Sequence, residues 1–498
     1  MKLLKISAVA AATCLLATSV SADEAKPKRQ LKNNMMVVTN IAPKSVDTLS
    51  EMFTEGIFYG RLRMNSFKWD WRNEKAGSTQ DNKAFGLGGS LAYKSAAYNG
   101  LSAQAGLYFT SSPFSSLRQG EADLKYSKAG KDTFSRYQVD GGGAWEYAVL
   151  AEANLQYKIS NTTATAGRQI FESFLTKSND TKMIPNTFEG LVIEMNEIPK
   201  TKIRGAYFTA QKLRDHTTFH DVITFKDVAG SSWNNNDDSA VHKGLSYANF
   251  TAAGADVNHE LIVVDMRNNS IDNLQVDVTY GSVPNVISSL TGELNYKIGL
   301  SSGYSLTPGV RYMQQMDNGG GAIGGASLSG NVTAANGAAS GYNDGGSLDG
   351  SLAMARLVLK NGPLKAQIAY SAVSDNADIV APWRGFPTGG YTRAMAQYNW
   401  RANTKTTAAE VHYDFDKAGL VSGFSAMARY AIQDFDEAKQ GTGGVQADSK
   451  ILHVDLRENI TKDLYAKVRV GLVSADSRVG GIDQDSYNEY RFELNYLF

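Results

Sequence analysis

Basic side chains that recur at every second position of apolar segments are the residues most able to do chemistry in this sequence. Arginine or lysine alternates there with apolar or small residues, so the basic side chains share one face of a strand. A basic face along a narrow, water-filled passage attracts anions and carboxylates, because walls of low dielectric strengthen the field. The residues predicted to line such a passage are Arg61, Arg63, Arg204, Lys297, Arg311, Arg356, Arg429, Lys467, Arg469 and Arg491. Lys158, Lys202, Lys365 and Arg457 share the pattern.

Acidic residues on the same faces are fewer, and they decide how much of the positive charge is free. They are Glu152, Asp277, Glu293, Glu410, Asp455, Glu489 and Glu493. If the first and last strands meet to close a barrel, Arg61, Arg63 and Arg491 form one patch, joined by Lys467 and Arg469 from the preceding strand. Two interpretations stay open for this patch: a ladder that guides anionic solutes, or structural ion pairs with Glu489 and Glu493.

Sequence motifs for catalysis or metal binding are weaker than the pattern of basic residues. The six histidines are scattered, and only His216 and His220 have the i, i+4 spacing of metal ligands on a helix. These two lie in a polar stretch that has no carboxylate at a motif spacing. We therefore predict no metal site, no cofactor and no enzymatic activity.

The last stretch of the chain, residues 487–498, indicates which element positions these side chains. Glu489, Arg491, Glu493 and Asn495 alternate there with Tyr490, Phe492, Leu494, Tyr496 and Phe498. A strand with one face against lipid and the other against water needs this composition. The stretch also resembles the C-terminal signature of bacterial outer-membrane proteins. That resemblance implies that Phe498 is an assembly signal, read by the barrel-assembly machinery.

The first 22 residues have the features of a secretory signal peptide. Lys2 and Lys5 precede an apolar run over residues 8–17, and small residues lead to Ala22, near which we predict Sec-type cleavage. The only cysteine, Cys14, lies inside this segment, so no disulfide is expected in the secreted chain. Loss of two lysines leaves 48 basic against 50 acidic residues, a net charge of about −2, which argues against nucleic acid as a partner.

The rest of the sequence lacks the apolar runs of helical membrane spans. No stretch reaches about 18 consecutive apolar residues, and the mean hydropathy is −0.30. That leaves a soluble secreted protein or a transmembrane barrel, because only helices and closed barrels satisfy every backbone group in lipid.

Short and long connections alternate between segments of about ten residues, as in bacterial outer-membrane barrels. Long connections are predicted at 68–82, 112–146, 171–186, 213–258, 282–289, 315–350, 375–404, 434–448 and 474–486. With the weak segment Leu245–Phe250 left inside a loop, the pattern gives eighteen strands, and sixteen is the alternative count. We predict an all-β fold, a transmembrane antiparallel β-barrel with long extracellular loops and short periplasmic turns.

The predicted organisation has three parts. A signal peptide covers residues 1–22, a periplasmic N-terminal lead-in covers 23–52 with a helical turn near its end, and the barrel covers 53–498. Residues 317–350 are rich in Gly, Ser, Ala and Asn and are predicted to form a mobile external loop.

Several stretches resemble the OprD-type substrate-specific porins. LAEANLQYKISNTTATAGRQ at Leu150–Gln169 is similar to the strands ahead of the family's third loop. KMIPNTFEGLVIEMNEI at Lys182–Ile198 resembles the family's return from that loop. The resemblance implies an eighteen-stranded pore that is narrowed by an inward-folded third loop near 170–187 and lined on one side by a basic ladder. It also implies uptake of small molecules that commonly carry a carboxylate.

The predicted function is that of an outer-membrane porin for passive diffusion of small hydrophilic solutes, carboxylate-bearing or anionic. The alternative is a barrel adhesin or a barrel enzyme that acts through the long external loops. The predicted partners are outer-membrane lipid, lipopolysaccharide, small hydrophilic solutes and the barrel-assembly machinery. A homotrimer and a monomer are both left open by the sequence.

Overall fold

A computed structural model describes most of the chain. The described residues are 29–32, 36–39, 43–73, 81–114, 116, 145–177, 183–214, 216–223, 242–381, 390–395, 399–440, 445–481 and 483–498. The predicted signal peptide lies outside these residues, as does the start of the predicted lead-in.

Eighteen long strands form the body of the molecule. They are β1 Ile57–Trp71, β2 Asn82–Lys94, β3 Leu101–Ser111, β4 Glu146–Ile159, β5 Thr162–Gln169, β6 Thr187–Met195, β7 Thr201–Lys212, β8 Leu261–Asn268, β9 Leu274–Val283, β10 Ile287–Tyr296, β11 Ser305–Asp317, β12 Gly350–Asn361, β13 Leu364–Val373, β14 Lys405–Asp414, β15 Phe424–Asp434, β16 Ser449–Asn459, β17 Leu464–Ala475 and β18 Tyr487–Leu497. Each pairs antiparallel with its neighbours, and β18 pairs with β1 to close a barrel. The predicted eighteen-stranded barrel is therefore confirmed, and sixteen strands are excluded.

Shorter elements lie outside this sheet or at its ends. Among the described residues, the short strands are Arg29–Leu31, Val37–Thr39, Ser45–Val46, Ala97–Tyr98 and Ile298–Gly299, and the helices are α1 Leu49–Thr54, α2 Tyr247–Ala252 and α3 Gly320–Gly324. Single 3-10 turns cover Ser301–Gly303, Ala338–Ser340 and Glu437–Lys439. Helix α2 takes up most of the weak segment 245–250, which explains why that segment adds no strand. In the described part of the chain, no helix is long and apolar enough to cross a membrane.

The strands alternate between an apolar outer face and a polar inner face, as their period-2 patterns predict. In β18, Tyr490 and Phe492 face outward and are about 40% exposed, while Glu489, Arg491 and Glu493 face inward and are buried. Strand β1 begins and β18 ends at the same rim, called here the short-turn end. The opposite rim, called the long-loop end, carries most of the long connections.

One predicted long connection is wrong. Residues 282–289 do not form a loop, because β9 runs to Val283 and β10 begins at Ile287. The backbone N–H of Val286 donates to the carbonyl of Val283 at 3.1 Å, and Asn285 adopts φ 60°. Pro284 followed by a residue with positive φ is the combination that closes a tight turn, so this connection is short although it lies at the long-loop end.

The glycine-rich loop between β11 and β12, predicted to be mobile, packs closely against neighbouring segments. Val332 and Leu348 are fully buried in it, and the Tyr342 hydroxyl donates to Asp378 at 2.9 Å. A Cβ on Gly325 would lie 1.5 Å from the carbonyl oxygen of Val332. Glycine here lets two backbone segments pack closely, which composition alone cannot distinguish from flexibility.

The chain before β1 forms a hairpin and then a short strand and a helix that pack at the short-turn end. Arg29–Leu31 pairs antiparallel with Val37–Thr39, and this unit is called the N-terminal hairpin. Residues Ser45–Val46 then pair with the first short turn, and α1 follows with Thr48 as its capping residue. The hairpin lies against inward-facing side chains of the barrel, a placement that the sequence did not predict.

Candidate functional site

Inward-facing charges on β10–β17 form three clusters, in each of which two basic side chains share one carboxylate. This set is called the basic wall. It consists of Glu293 with Arg311 and Arg356, Glu410 with Lys365 and Arg429, and Asp455 with Lys467 and Arg469. Period-2 alternation on neighbouring strands puts all nine side chains on the lumen face.

The Glu293 cluster also binds aromatic rings from two loops. Arg311 donates through Nε to Glu293 at 2.5 Å, and Arg356 reaches the same carboxylate at 3.4 Å. The Arg356 guanidinium lies 4.1 Å from the ring centre of Tyr391, and that of Arg311 lies 4.5 Å from the ring centre of Phe174. Such cation–π contacts hold guanidinium planes in place while their remaining N–H groups stay available.

The other two clusters follow the same scheme along the wall. Glu410 accepts from Lys365 at 2.9 Å and from the Nε of Arg429 at 2.8 Å. Asp455 accepts from Arg469 at 2.7 Å and lies 3.1 Å from the Lys467 ammonium. It also lies 2.8 Å from His453 Nε2. In both clusters one carboxylate faces two cations.

Strands β6–β9 instead carry one-to-one ion pairs, called the paired wall. Lys202 lies 2.6 Å from Glu194, and the Nε of Arg204 donates to Asp265 at 2.9 Å. Arg267 and Asp277 form the third pair, at 2.5 Å. Each cation in this wall has its own carboxylate.

The connection between β5 and β6, called the third loop, contacts both walls. Arg204 donates to the Glu172 backbone carbonyl at 2.5 Å, and Phe171 lies 4.5 Å from the same guanidinium. Between this loop and the walls lies a cavity of about 470 Å³. It is lined by Lys32, Glu172, Ser173, Phe174, Lys177, Lys202, Arg204, Asp265, Met266, Arg267, Asp277, Thr279, Thr291, Glu293 and Arg311.

The inward-facing charges where β18 meets β1 are arranged differently. This group, called the seam, comprises Arg61, Arg63, Glu489, Arg491 and Glu493, all of them buried. Arg63 pairs with Glu493 at 2.8 Å, and Arg491 donates to Glu489 at 2.5 Å. Within the described residues, no group accepts a hydrogen bond from the guanidinium of Arg61.

The structure thus places the ten predicted pore-lining residues in four settings. Arg311, Arg356, Arg429, Lys467 and Arg469 lie in the basic wall, Arg204 lies in the paired wall, and Arg61, Arg63 and Arg491 lie in the seam. Lys297 is exposed just beyond the end of β10 at the short-turn end, away from the three groups. Their role in solute passage stays a prediction.

Phe498, the predicted assembly signal, lies beside β1 at the short-turn end. Its backbone exchanges hydrogen bonds with Gly60 at 2.9 and 3.1 Å. A Cβ on Gly60 would lie 2.7 Å from the Phe498 ring and 2.1 Å from the Ser90 carbonyl oxygen, so only glycine leaves room here. The assembly role itself stays a prediction.

Sequence reasoning missed several residues around the cavity. Asp265 faces inward with Arg267 in β8, and the alternation of that strand contained this signal. Lys32, Phe174 and Tyr391 come from segments outside the barrel strands, where no periodicity indicates a facing direction.

The long loops over the barrel are joined by a buried histidine. His242 Nε2 lies 2.9 Å from the Gly325 carbonyl oxygen, and the Gly244 backbone N–H donates to His242 Nδ1 at 3.1 Å. Burial lowers the pKa of His242 to about 4, so the neutral ring links the β7–β8 connection to the glycine-rich loop. Among the described residues, no group of three or more His, Cys, Asp or Glu side chains could hold a metal ion.

A closed antiparallel barrel with an apolar outer face and a charged inner face is the architecture of an outer-membrane channel. A family model for outer membrane porins of the OprD family matches residues 122–498, more than half of the chain. The chain belongs to the OprD family, which confirms the resemblance noted in its sequence. It is therefore an outer-membrane porin whose long-loop end is extracellular and whose short-turn end is periplasmic, in contact with membrane lipid and small solutes.

Solved structures of similar fold are themselves porins of this type. OccAB3 of Acinetobacter baumannii has a TM-score of 0.67 and 16% identity, over 90% of this chain and 100% of that chain. OccK8 (OprE) of Pseudomonas aeruginosa has a TM-score of 0.66 and 15% identity, over 90% and 99%. OpdK of Pseudomonas aeruginosa, crystallised with vanillate, has a TM-score of 0.65 and 14% identity, again over 90% and 99%. No curated protein sequence matches the chain.

Proposed function

We propose that this porin passes small hydrophilic solutes that carry a carboxylate, and that the basic wall selects them. The supporting observation is the count of charges in that wall, where six cations share three carboxylates. Among the described residues, the Glu293 and Glu410 clusters each hold two cations and one carboxylate. A solute carboxylate can pair with the additional cation as it passes.

Electrostatic interactions of this kind are strong enough to make the pore prefer anionic solutes. Two unit charges about 4 Å apart interact by roughly 1 kcal/mol in bulk water and about 4 kcal/mol at an effective dielectric near 20. A difference of about 1.4 kcal/mol changes relative permeation about tenfold. The Lys365 and Arg356 side chains are 39% and 26% exposed, so a passing solute can reach them.

A second consideration is the chemistry of the arginine pairs. Arg311 and Arg356 flank one carboxylate and stack on aromatic rings, which fixes their N–H groups in the fork that suits a carboxylate. Vanillate, with which the similar porin OpdK was crystallised, is an aromatic carboxylate. We extend that solute class to this chain only as part of the proposal.

Two measurements on the purified porin test the proposal. Reversal potentials of planar bilayers in a salt gradient are expected to show a preference for anions. Proteoliposomes are expected to take up benzoate faster than benzamide, its neutral analogue of similar size. Equal uptake together with a cation preference would contradict the proposal. A barrel that conducts nothing would instead favour the alternative, an adhesin or a barrel enzyme that acts through its external loops.

The predictions about assembly and partners belong to the same proposal. We infer that the chain is cleaved near Ala22, that Phe498 is read by the barrel-assembly machinery, and that lipopolysaccharide surrounds the extracellular half of the barrel. Whether the porin acts as a monomer or a homotrimer can be read from cross-linking in intact membranes.

A further inference from the structure

The N-terminal hairpin touches two opposite parts of the barrel interior. Leu31 and Val37 pack with Tyr59 and Leu497, inward-facing residues of β1 and β18. The next residue after Leu31, Lys32, lines the cavity beside the third loop. Its backbone N–H donates to the Met36 carbonyl at 2.9 Å, which continues the hairpin pairing.

The order of the strands shows how far apart these two contacts are. Strands β18, β1 and β2 are consecutive in the closed sheet, whereas the cavity residues Lys202, Asp277 and Arg311 lie on β7, β9 and β11. Strand β10 is half a turn from β1 in an eighteen-stranded barrel. A hairpin that contacts the seam side and borders a cavity on the far side therefore lies across the lumen.

The chain after the hairpin is attached to the periplasmic rim. The backbone N–H of Ala97 donates to the Lys44 carbonyl at 3.2 Å, and that of Ala96 donates to the Met52 carbonyl at 2.9 Å. The Tyr93 hydroxyl donates to the Phe53 carbonyl at 2.6 Å. These bonds tie the segment before β1 to the first short turn, so the hairpin enters the lumen from a fixed point.

Most cations that line the cavity form an ion pair with a carboxylate and, within the described part of the chain, Lys32 does not. Lys202, Arg204, Arg267 and Arg311 each form an ion pair with a carboxylate. Lys32 is exposed and, among the described residues, forms no ion pair. An unpaired, exposed ammonium that borders an open cavity offers its charge to a solute.

We propose that the N-terminal hairpin is a constriction element of the pore and that Lys32 is a selectivity-determining residue for carboxylate solutes. The hairpin narrows the periplasmic half of the lumen, and its lysine faces solutes that leave the cavity beside the third loop. The assignment of Lys32 rests on the proposed carboxylate function, whereas the constriction by the hairpin does not.

The proposal that the hairpin narrows the pore is tested by releasing the hairpin from the barrel wall. In the double variant Leu31→Asp, Val37→Asp, two charges replace buried apolar contacts, and single-channel conductance is expected to rise. Val38→Asp is the matched control, because Val38 points to the opposite face of the same short strand. Unchanged conductance in an assembled double variant would overturn the constriction.

Deletion of residues 29–39 provides a second variant if the charged one does not assemble. The hairpin is not part of the closed sheet, so the barrel is expected to remain heat-modifiable without it. The deletion is expected to raise conductance in the same way. Conductance equal to that of the full-length porin would again overturn the constriction.

The role of Lys32 is tested by Lys32→Gln. The ratio of benzoate to benzamide uptake is expected to fall about threefold, the effect of one solvated charge near the path, with little change in conductance. Lys44→Gln is the matched control, since Lys44 is exposed and does not line the cavity. An unchanged ratio in Lys32→Gln, with the preference of the unmodified porin intact, would overturn the assignment of Lys32.

The outcomes keep the two proposals apart. An unmodified porin without carboxylate preference would contradict the proposed function, and the Lys32 assignment would fall with it. The conductance of the undocked variants would still decide the constriction. A porin that prefers carboxylates but conducts equally with and without the hairpin would keep the function and lose the constriction.

Discussion

The seam and the basic wall are built from the same residue types, on the same face of the same sheet, yet they differ in burial and pairing. In the seam, the side chains of Arg63 and Glu493 are 0% and 5% exposed. In the basic wall, the Lys365 side chain is 39% exposed and shares Glu410 with Arg429. The ion pairs of the seam are buried, whereas Lys365 of the basic wall is exposed to the lumen.

An inward-facing arginine is therefore not by itself part of a solute pathway. Arg63 forms an ion pair with Glu493, and Arg491 forms one with Glu489. This geometry favours structural ion pairs over a ladder that guides anionic solutes. Arg356 and Arg429 have identical chemistry but share their carboxylates with a second cation. Charge changes should therefore affect assembly at the seam and selectivity at the basic wall.

The largest effect is expected at the end of the chain, where the seam closes. Phe498→Asp places a charge at the membrane interface beside Gly60 and removes the terminal aromatic. We expect most of the chain to fail to become heat-modifiable in isolated outer membranes. Leu420→Asp is the control, because Leu420 is an exposed apolar residue in a short turn at the same rim. Normal assembly of Phe498→Asp would remove Phe498 as an assembly signal.

The next effect is expected from the buried ion pair of the seam. Glu493→Gln removes the carboxylate that contacts Arg63 at 2.8 Å in a buried ion pair, and breaking such a pair typically costs about 3–5 kcal/mol. We expect a lower urea midpoint for unfolding, and unchanged reversal potentials in whatever barrel assembles. Adding Arg63→Gln should recover part of the lost stability. A stable Glu493→Gln barrel with altered anion preference would place the seam in the solute pathway instead.

The extracellular loops give a pH-dependent check that is independent of both regions. The pKa of His242 is about 4 in the folded protein against an ordinary value of 6.5, so its contact contributes fully above pH 6.5 and is lost as pH falls toward 4. The loss is at most about 3 kcal/mol. We expect flickering of single-channel current to increase over this range, and His242→Gln to remove that pH dependence. Flickering that keeps its pH dependence in His242→Gln would have another source.

The smallest effect is expected from one cation of the basic wall. Arg356→Gln leaves Glu293 paired with Arg311, so the barrel should assemble normally. The permeability ratio of anions to cations is expected to fall about threefold, as measured by reversal potentials. Lys462→Gln makes the same charge change in an exposed short turn and should leave the ratio unchanged. A ratio unaffected by Arg356→Gln would mean that this wall, like the seam, is structural.

Much of the fold could be predicted from local patterns. Alternation at every second residue identified the strands and their inner and outer faces, because side-chain direction in a strand depends only on position in the chain. Eighteen strands followed from leaving the weak segment inside a loop, with sixteen still open, and most of that segment became α2. The prediction of a long loop at 282–289 was wrong because Pro284 and Asn285 form a tight turn there. Most of the other residues in this range belong to the two adjoining strands.

The sequence by itself determined the two faces of each strand, and most of the predicted inward-facing charges lie on the lumen face. Only the tertiary structure decided how those charges are buried and paired. Arg63 meets Glu493 across the closing strands, and Lys32 borders a cavity beside Glu172, so both arrangements join residues far apart in the chain. Burial and pairing depend on such distant neighbours, which no local periodicity encodes. The burial and pairing of these charges therefore depend on barrel closure and on the segments folded into the barrel.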